Sequence, residues 1–536
     1  MITKFLFLII GIAVSIPAFA GLQEMTLEEK VGQLLMVHFN GETANDDARR
    51  LIQKSLVGGI IYYNWANGLH SPRQVRQLSA GLQALSKQNR NPIPLFIAVD
   101  QEGGVVARLT KGFTVFPGNK ALGMTNDPGL AEKCSFAMGQ ELKCVGVNFN
   151  LSPVIDVNTN PRNPVIGIRS FGGSPDTVVC FGKSALHGYH KAGIITSLKH
   201  FPGHGNVEVD SHSDLPVLKQ SREQLQAVEL LPFFELAPQA DTIMTAHIIV
   251  PSIDPVHCAT LSKDVLDIVR KEIGFQGVII SDSLVMEGLL KNCSPIDDAA
   301  IRALNAGCDI LLLGGKQLVD SKTHLELKVA DIERIHQAVV NAVKNGIVSE
   351  QRLNEAVRRI LALKNAYLLS GASNDECDLK GVGTPEKNQL AINIAALSLK
   401  EIKNSSTLPS PGQQKIAIFA PAIVQDSIKQ VSHFSSGKET PMLFFRSLNP
   451  DEAEMQLACN MAVEADVLIM CSYNAWKNQS QVTLFQALLN SKKPVIVIVL
   501  RDPVDASSFP QADLILMTFS PTAPSIQAAF DRLFQL

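Results

Sequence analysis

Apolar residues in this chain fall into short runs, separated by longer stretches in which they recur every three or four positions. The runs at 34–39, 58–63, 94–99, 147–154, 194–198, 242–248, 277–280 and 309–313 are rich in Ile, Val and Leu and read as buried strands. The stretches between them have helical spacing and recognisable starts. Thr26 with Glu29, and Ser221 with Gln224, form capping boxes. Ser71-Pro72, Asp127-Pro128 and Ser174-Pro175 each set a capping residue before a proline at the first helical position. Two more helical stretches, 331–345 and 350–369, close this part of the chain. A polar, Ser- and Gly-containing segment at 370–376 reads as linker. Beyond it a second alternation runs through strand-like segments at 415–419, 441–445, 467–471, 495–500 and 514–519, with a helical stretch at 451–465 among them.

Strands alternating with helices predict a (β/α)8 TIM-type barrel over 21–369, a linker at 370–386 and a smaller three-layer α/β domain over 387–536. An open doubly wound sheet would show the same alternation. The polar residues favour the barrel. Asp100, Asp156, Lys199 with His200, His247 and Asp282 each sit at or near the C-terminal end of a different strand run. In a barrel those ends converge on one face; in an open sheet they spread along an edge. The second domain carries no GxGxxG or P-loop, so it has no nucleotide signature.

Composition narrows the picture. The 536 residues are 46% hydrophobic, enough for more than one core. A formal net charge of −3 and the lack of a long Lys/Arg run argue against a nucleic-acid partner. At the N-terminus, Lys4, an apolar run at 5–16 and Pro17-Ala18-Phe19-Ala20 describe a cleaved secretory signal. Residues 1–20 are then removed and the mature chain starts at Gly21, exported to the periplasm or secreted. The run is shorter than the ~20 residues of a membrane span, so no stable span is expected after cleavage. Nine cysteines with no CxxC pair make no disulfide framework. Cys144, Cys180, Cys308 and Cys471 lie in regular stretches and read as buried free thiols, whereas Cys377, in the polar linker, reads as exposed.

The chemistry concentrates in Lys199-His200-Phe201-Pro202-Gly203-His204-Gly205, followed by Asp210-Ser211-His212. A strand ending in a cation and an imidazole, then a glycine-containing loop ending in a carboxylate and a second imidazole, presents titratable groups at a strand's C-terminal end. A metal site from His200, His204 and His212 is a poor match, because the spacing fits no common zinc pattern and HExxH is absent. No metal or other cofactor is expected.

With Asp100-Gln101-Glu102-Gly103-Gly104, the 150–156 segment ending in Asp156, Ile168-Arg169-Ser170-Phe171-Gly172 and Ser281-Asp282-Ser283-Leu284 in the same order, the chain resembles glycoside hydrolase family 3, in particular its bacterial β-N-acetylglucosaminidase (β-hexosaminidase) branch in two-domain form. The resemblance implies a retaining exo-β-N-acetylglucosaminidase (EC 3.2.1.52 type) acting on peptidoglycan fragments, muropeptides or related amino sugars. It makes Asp282 the nucleophile and His212 the acid/base, oriented by Asp210. It makes Asp100, Arg108, Arg169, Lys199 and His200 sugar-binding groups. An imidazole that titrates near neutral pH can protonate a leaving oxygen and later deprotonate water, and a neighbouring Asp fixes its tautomer. Arg108 and Arg169 read equally well as structural ion pairs, Asp156 as a supporting carboxylate, and His204 and His247 as loop-ordering residues. Asp282 could alternatively cap a helix. Where the family often has Arg after the double glycine, this chain has Val105. Two other functions fit: a β-N-acetylglucosaminide phosphorylase of the same family, and a non-catalytic sugar-binding protein.

Overall fold

A computed structural model describes residues 21–211, 214–317, 324–369, 378–404, 414–431 and 440–534. The expected signal at 1–20, His212, the linker core at 370–376 and Cys377 lie outside the described residues.

The eight runs of the first half form parallel strands β1 (Leu35–Val37), β2 (Gly59–Ile61), β3 (Phe96–Val99), β4 (Phe149–Asn150), β5 (Ile195–Phe201), β6 (Thr242–Thr245), β7 (Val278–Ile280) and β8 (Leu311–Leu312). Their spatial order is β7-β6-β5-β4-β3-β2-β1-β8. Ile280 bridges Ile310 in parallel, and Ser281 N donates to Ile310 O (2.9 Å), which brings the two ends of the sheet together into a barrel. The strands are short and buried throughout, as expected where helices cover the outside and side chains fill the inside. The 147–154 run is strand only at Phe149–Asn150, with Val154 bridging Lys199. Lys199 and His200 lie within β5 rather than after it.

The helix starts follow the sequence signals with one exception. Both capping boxes form, and Ser71 and Asp127 cap their helices. Ser174 makes no cap hydrogen bond; proline alone marks that start. The expectation of buried free thiols fails at two positions, at Cys144 because the thiol is not free and at Cys180 because it is not buried. Cys144, the last residue of helix Pro128–Cys144, is disulfide-bonded, and the Asp378 carbonyl of the segment leaving the barrel lies 4.0 Å from its Sγ. Cys180 is exposed, on the outer face of helix Pro175–Ala192.

The second domain is a six-stranded sheet of β9 (Lys400–Asn404), β10 (Ile416–Pro421), β11 (Met442–Phe445), β12 (Val467–Ser472), β13 (Val495–Val499) and β14 (Leu514–Met517), ordered β9-β14-β13-β12-β10-β11. All pairs are parallel except β9 with β14. Separate apolar clusters on its two faces make three layers. β9 has no apolar alternation and escapes a reading by pattern. It is a polar edge strand whose Lys400, Glu401 and Lys403 discourage further pairing. Helix Pro385–Ser398 joins the two domains: Ala391 and Ile394 belong to the barrel's core cluster, and the same helix packs on helix Ala523–Phe534 of the second domain.

Opposite the strands' C-terminal ends lie two buried ionisable side chains. Asp309, fully buried, receives Arg270 (2.6 Å), Arg352 (2.8 Å) and Arg359 (3.1 Å) and ties two helical segments, Ile268–Glu272 and Glu350–Lys364, to β8. Lys364, also fully buried, donates to Gln33 Oε1 and Gly58 O (both 2.8 Å) with the Phe96 ring 4.7 Å away. Both of those acceptors are uncharged, and two acceptors suit a neutral amine. Burial brings the Lys364 pKa down to about 7. An unfolded lysine titrates near ~10.4. Between those values the unfolded chain holds a proton that the folded chain lacks, so this group makes stability rise with pH from 7 towards 10. Relative to Lys364→Met, the wild type should gain about 1–3 kcal/mol between pH 7 and pH 9 in denaturant unfolding. Parallel pH dependences in the two proteins would show that Lys364 keeps its charge in the fold.

Candidate active site

The C-terminal face of the barrel is built around a hairpin that follows β3. Gln101–Gly103 pairs antiparallel with Val106–Ala107. Asn150, at the end of β4, clamps it: Gln101 N donates to Asn150 Oδ1 (3.0 Å) and Asn150 Nδ2 donates to Gln101 O (2.8 Å). The Gln101 side chain accepts from the backbone N–H groups of Arg108 and Leu109 (2.9 and 3.0 Å). Gly103 and Gly104 take φ of 86° and 60°, which the tight turn requires. Asp100 and Arg108 are thereby set on the rim of a cavity and Glu102 beneath it. Val105, at the hairpin turn, does not line the cavity.

Glu102 is 2% exposed and holds the charge arrangement together. Arg169 donates to both of its oxygens, Nε to Oε2 (3.0 Å) and Nη2 to Oε1 (2.9 Å), and Lys199 Nζ lies 2.7 Å from Oε1. Lys199 also donates to Asp100 Oδ1 (2.9 Å), and Arg108 Nη2 stands 3.8 Å from Asp100 Oδ2. Burial alone would push the Glu102 carboxyl up; Arg169 and Lys199 outweigh it and hold the group well below the usual carboxylate range. Burial would likewise lower Lys199, but Asp100 and Glu102 keep it above the ordinary lysine value. These are fixed charges, not proton carriers, at any physiological pH.

Asp156 supports the imidazoles. His200 Nδ1 is 2.7 Å from Asp156 Oδ2, and the backbone N–H groups of His200 and His204 donate to Oδ1 (3.1 and 2.6 Å). Arg169 Nη2 lies 3.4 Å from His200 Nε2. Arginine can only donate, so the His200 proton sits on Nδ1 towards Asp156 and Nε2 accepts. His204 is fully buried, burial brings its pKa down to about 4, and its Nε2 pairs with Ser211 Oγ (2.9 Å). It ties the end of β5 to the loop that carries Asp210. That loop passes so close to the Val157 carbonyl that a Cβ at Gly205 would meet it at 1.8 Å. His247 pairs with Thr260 Oγ1 (2.8 Å) and the Ser283 carbonyl (2.9 Å), ordering the segment after β7.

Asp282 lies two residues past β7 and lines the cavity. It does not cap a helix: its Oδ1 accepts from Ser283 N (2.7 Å), and the next helix starts at Glu287 behind Met286. The cavity of about 380 Å³ also brings together Asp100, Arg108, Arg169, Lys199 and His200. Asp210 is partly buried in the neighbouring loop and is not among the lining residues. Tyr63 and Trp65, stacked at 5.3 Å with a 22° interplanar angle, form another wall. A cavity lined by cationic donors, by the Asp100 and Asp282 carboxylates and by an aromatic pair suits a polyhydroxylated ring. Among the described residues no group of three or more His, Cys, Asp or Glu could hold a metal ion. Reading the sequence missed Glu102, Tyr63 and Trp65. Glu102 lay inside a quoted motif, and Trp65, one of two tryptophans, follows Tyr62-Tyr63 at the end of β2.

Comparison with known proteins agrees with this geometry. The chain is 33% identical to β-hexosaminidase A of Pseudoalteromonas piscicida over 422 residues, covering 72% of this chain and 68% of that protein. It is 36% identical to a β-hexosaminidase of Pseudomonas aeruginosa over 305 residues, 56% of this chain and 86% of that one. Among solved structures, a glycoside hydrolase family 3 β-N-acetylglucosaminidase from Paenibacillus sp. str. FPU-7 superposes with a TM-score of 0.84 at 33% identity, over 95% of this chain and 97% of that one. The family described as Glycosyl hydrolase family 3 N terminal domain matches residues 26–363, the whole barrel. The chain therefore belongs to glycoside hydrolase family 3.

Proposed function

We propose that this protein is an exported, retaining exo-β-N-acetylglucosaminidase that removes terminal N-acetylglucosamine from peptidoglycan fragments or related amino sugars. The observation that carries the reading is Asp282, a carboxylate with no helix to cap, on the wall of the same cavity as Asp100 and the Lys199 and Arg169 donors. The hexosaminidase names of the relatives support the choice of sugar. The disulfide at Cys144 supports an oxidising compartment and so export.

In the first step the Asp282 carboxylate attacks the anomeric carbon while the His212 imidazolium gives its proton to the departing glycosidic oxygen. The products are a glycosyl ester on Asp282, a free aglycone alcohol and a neutral imidazole. In the second step that imidazole takes a proton from water, the water oxygen attacks the anomeric carbon, and the Asp282 carboxylate leaves. Asp210 orients the imidazole and stabilises its charged form. Asp100, Arg169, Lys199 and His200 hold the sugar's polar groups.

Asp282→Asn should lower turnover of an aryl β-N-acetylglucosaminide by a factor on the order of 10⁴ or more while leaving the melting temperature near that of the wild type. Near wild-type turnover by that variant rules out the assignment. His212→Ala should lose most activity on a disaccharide, whose leaving alkoxide needs a proton. On an activated aryl substrate it should form the glycosyl-enzyme and stall, and azide should restore turnover with a β-glycosyl azide as product. Equal losses on both substrates without azide product would show His212 to be no more than a loop residue. For export, N-terminal sequencing of the mature protein should begin at Gly21; a sequence beginning at Met1 contradicts cleavage.

A further inference from the structure

The second domain touches the active-site face at one corner. Its loops after β12 and β13, the C-terminal ends of adjacent parallel strands, meet there and are cross-linked by side chains. Asp502 is 6% exposed and accepts from Trp476 Nε1 (3.2 Å). Asn474, at φ 54°, is placed to donate to Asp502 Oδ2 and accept from Arg501 Nη1, both at 2.6 Å. Asp505 accepts from the Trp476 backbone N–H (3.0 Å). Lys477 Nζ lies 4.9 Å from the centre of the Trp476 ring. These contacts tie the two loops together.

A barrel segment faces it, the 3₁₀ turn Gly167–Arg169, whose last residue grips Glu102. Gly167 has φ 45°, and a Cβ there would stand 3.0 Å from Asp502 Oδ1, so the carboxylate rests on the turn itself. At its far end the domain is fixed to the barrel. Glu141 accepts from Gly383 N (2.9 Å), Lys387 Nζ lies 3.7 Å from it, and helix Pro385–Ser398 is part of the barrel core.

We propose that the second domain is a positioning element of the active site. Asp502 seats the turn that carries Arg169 without lining the cavity itself, a role that does not depend on the acid/base reading of Asp210 and His212.

A double-mutant cycle on the full-length protein tests the seat. In Gly167→Ala the new methyl meets Asp502, and kcat/KM on an aryl β-N-acetylglucosaminide should fall about ten- to a hundredfold with the melting temperature little changed. Asp502→Ala removes the obstacle and the seat together and should itself lower kcat/KM. The double variant should lose less than the product of the two single losses, because its methyl no longer meets a carboxylate; strain at φ 45° is common to both Gly167 variants and cancels in the cycle. Wild-type kinetics for Gly167→Ala, or losses that simply add in the double variant, overturn the seat. If Asp210→Asn itself shows no dependence on leaving group, the acid/base reading has failed, while the Gly167–Asp502 cycle still reports the docking.

Discussion

The arrangement depends on one buried carboxylate, Glu102. It sits beneath the cavity with Arg169 and Lys199 on its two oxygens, and through Lys199 it fixes Asp100. Two cations and a carboxylate under a sugar pocket are costly to desolvate, and each is tolerable only because the others are present. Their strand positions make this possible. Lys199 lies on β5, Asp100 and Glu102 follow β3, and Arg169 comes from the segment beyond β4. β5, β4 and β3 are direct neighbours in the sheet, which brings these ends within hydrogen-bonding distance.

That cluster leaves the chemistry to other groups. Glu102 is held ionised by Arg169 and Lys199, and His204 is held neutral by burial. Neither is free to act as a proton shuttle, and the proposed mechanism puts the reactive parts at the Asp282 carboxylate and in the loop that follows Gly205. The proposed mechanism thus divides the site into a rigid charged floor, one nucleophile on the wall and an acid/base on a separate loop. The second domain has a physical place in that division, since its Trp476–Asp502 corner rests on the turn behind Arg169.

Much of this could be read from the residues. The strand runs, the converging polar positions and the ordered motifs point to the barrel and to most of the cavity, because burial in a parallel sheet leaves a strong apolar signal. The role of Glu102 was hidden, since a carboxylate beside Asp100 looks the same whether it faces substrate or a buried guanidinium. Arg169 could be read either way, and it turns out both to grip Glu102 and to line the cavity. Tyr63 and Trp65 were missed because aromatic residues after a strand read first as core. β9 was missed because an edge strand needs no apolar face, and the Cys144 disulfide because a lone cysteine at a helix end carries no spacing signature. The docking of Asp502 on Gly167 joins residues more than three hundred positions apart, which no local pattern reveals.

The central claim is that Asp282 becomes covalently glycosylated during turnover. Its most direct test is to trap the intermediate with a 5-fluoro N-acetylglucosaminyl fluoride, a slow substrate that destabilises both oxocarbenium-like transition states, and to locate the label by peptide mass spectrometry. The account predicts one sugar per protein, carried as an ester on the peptide that contains Asp282 and absent from Asp282→Asn. A label on any other residue, or turnover of activated substrates with no label at all, would contradict it.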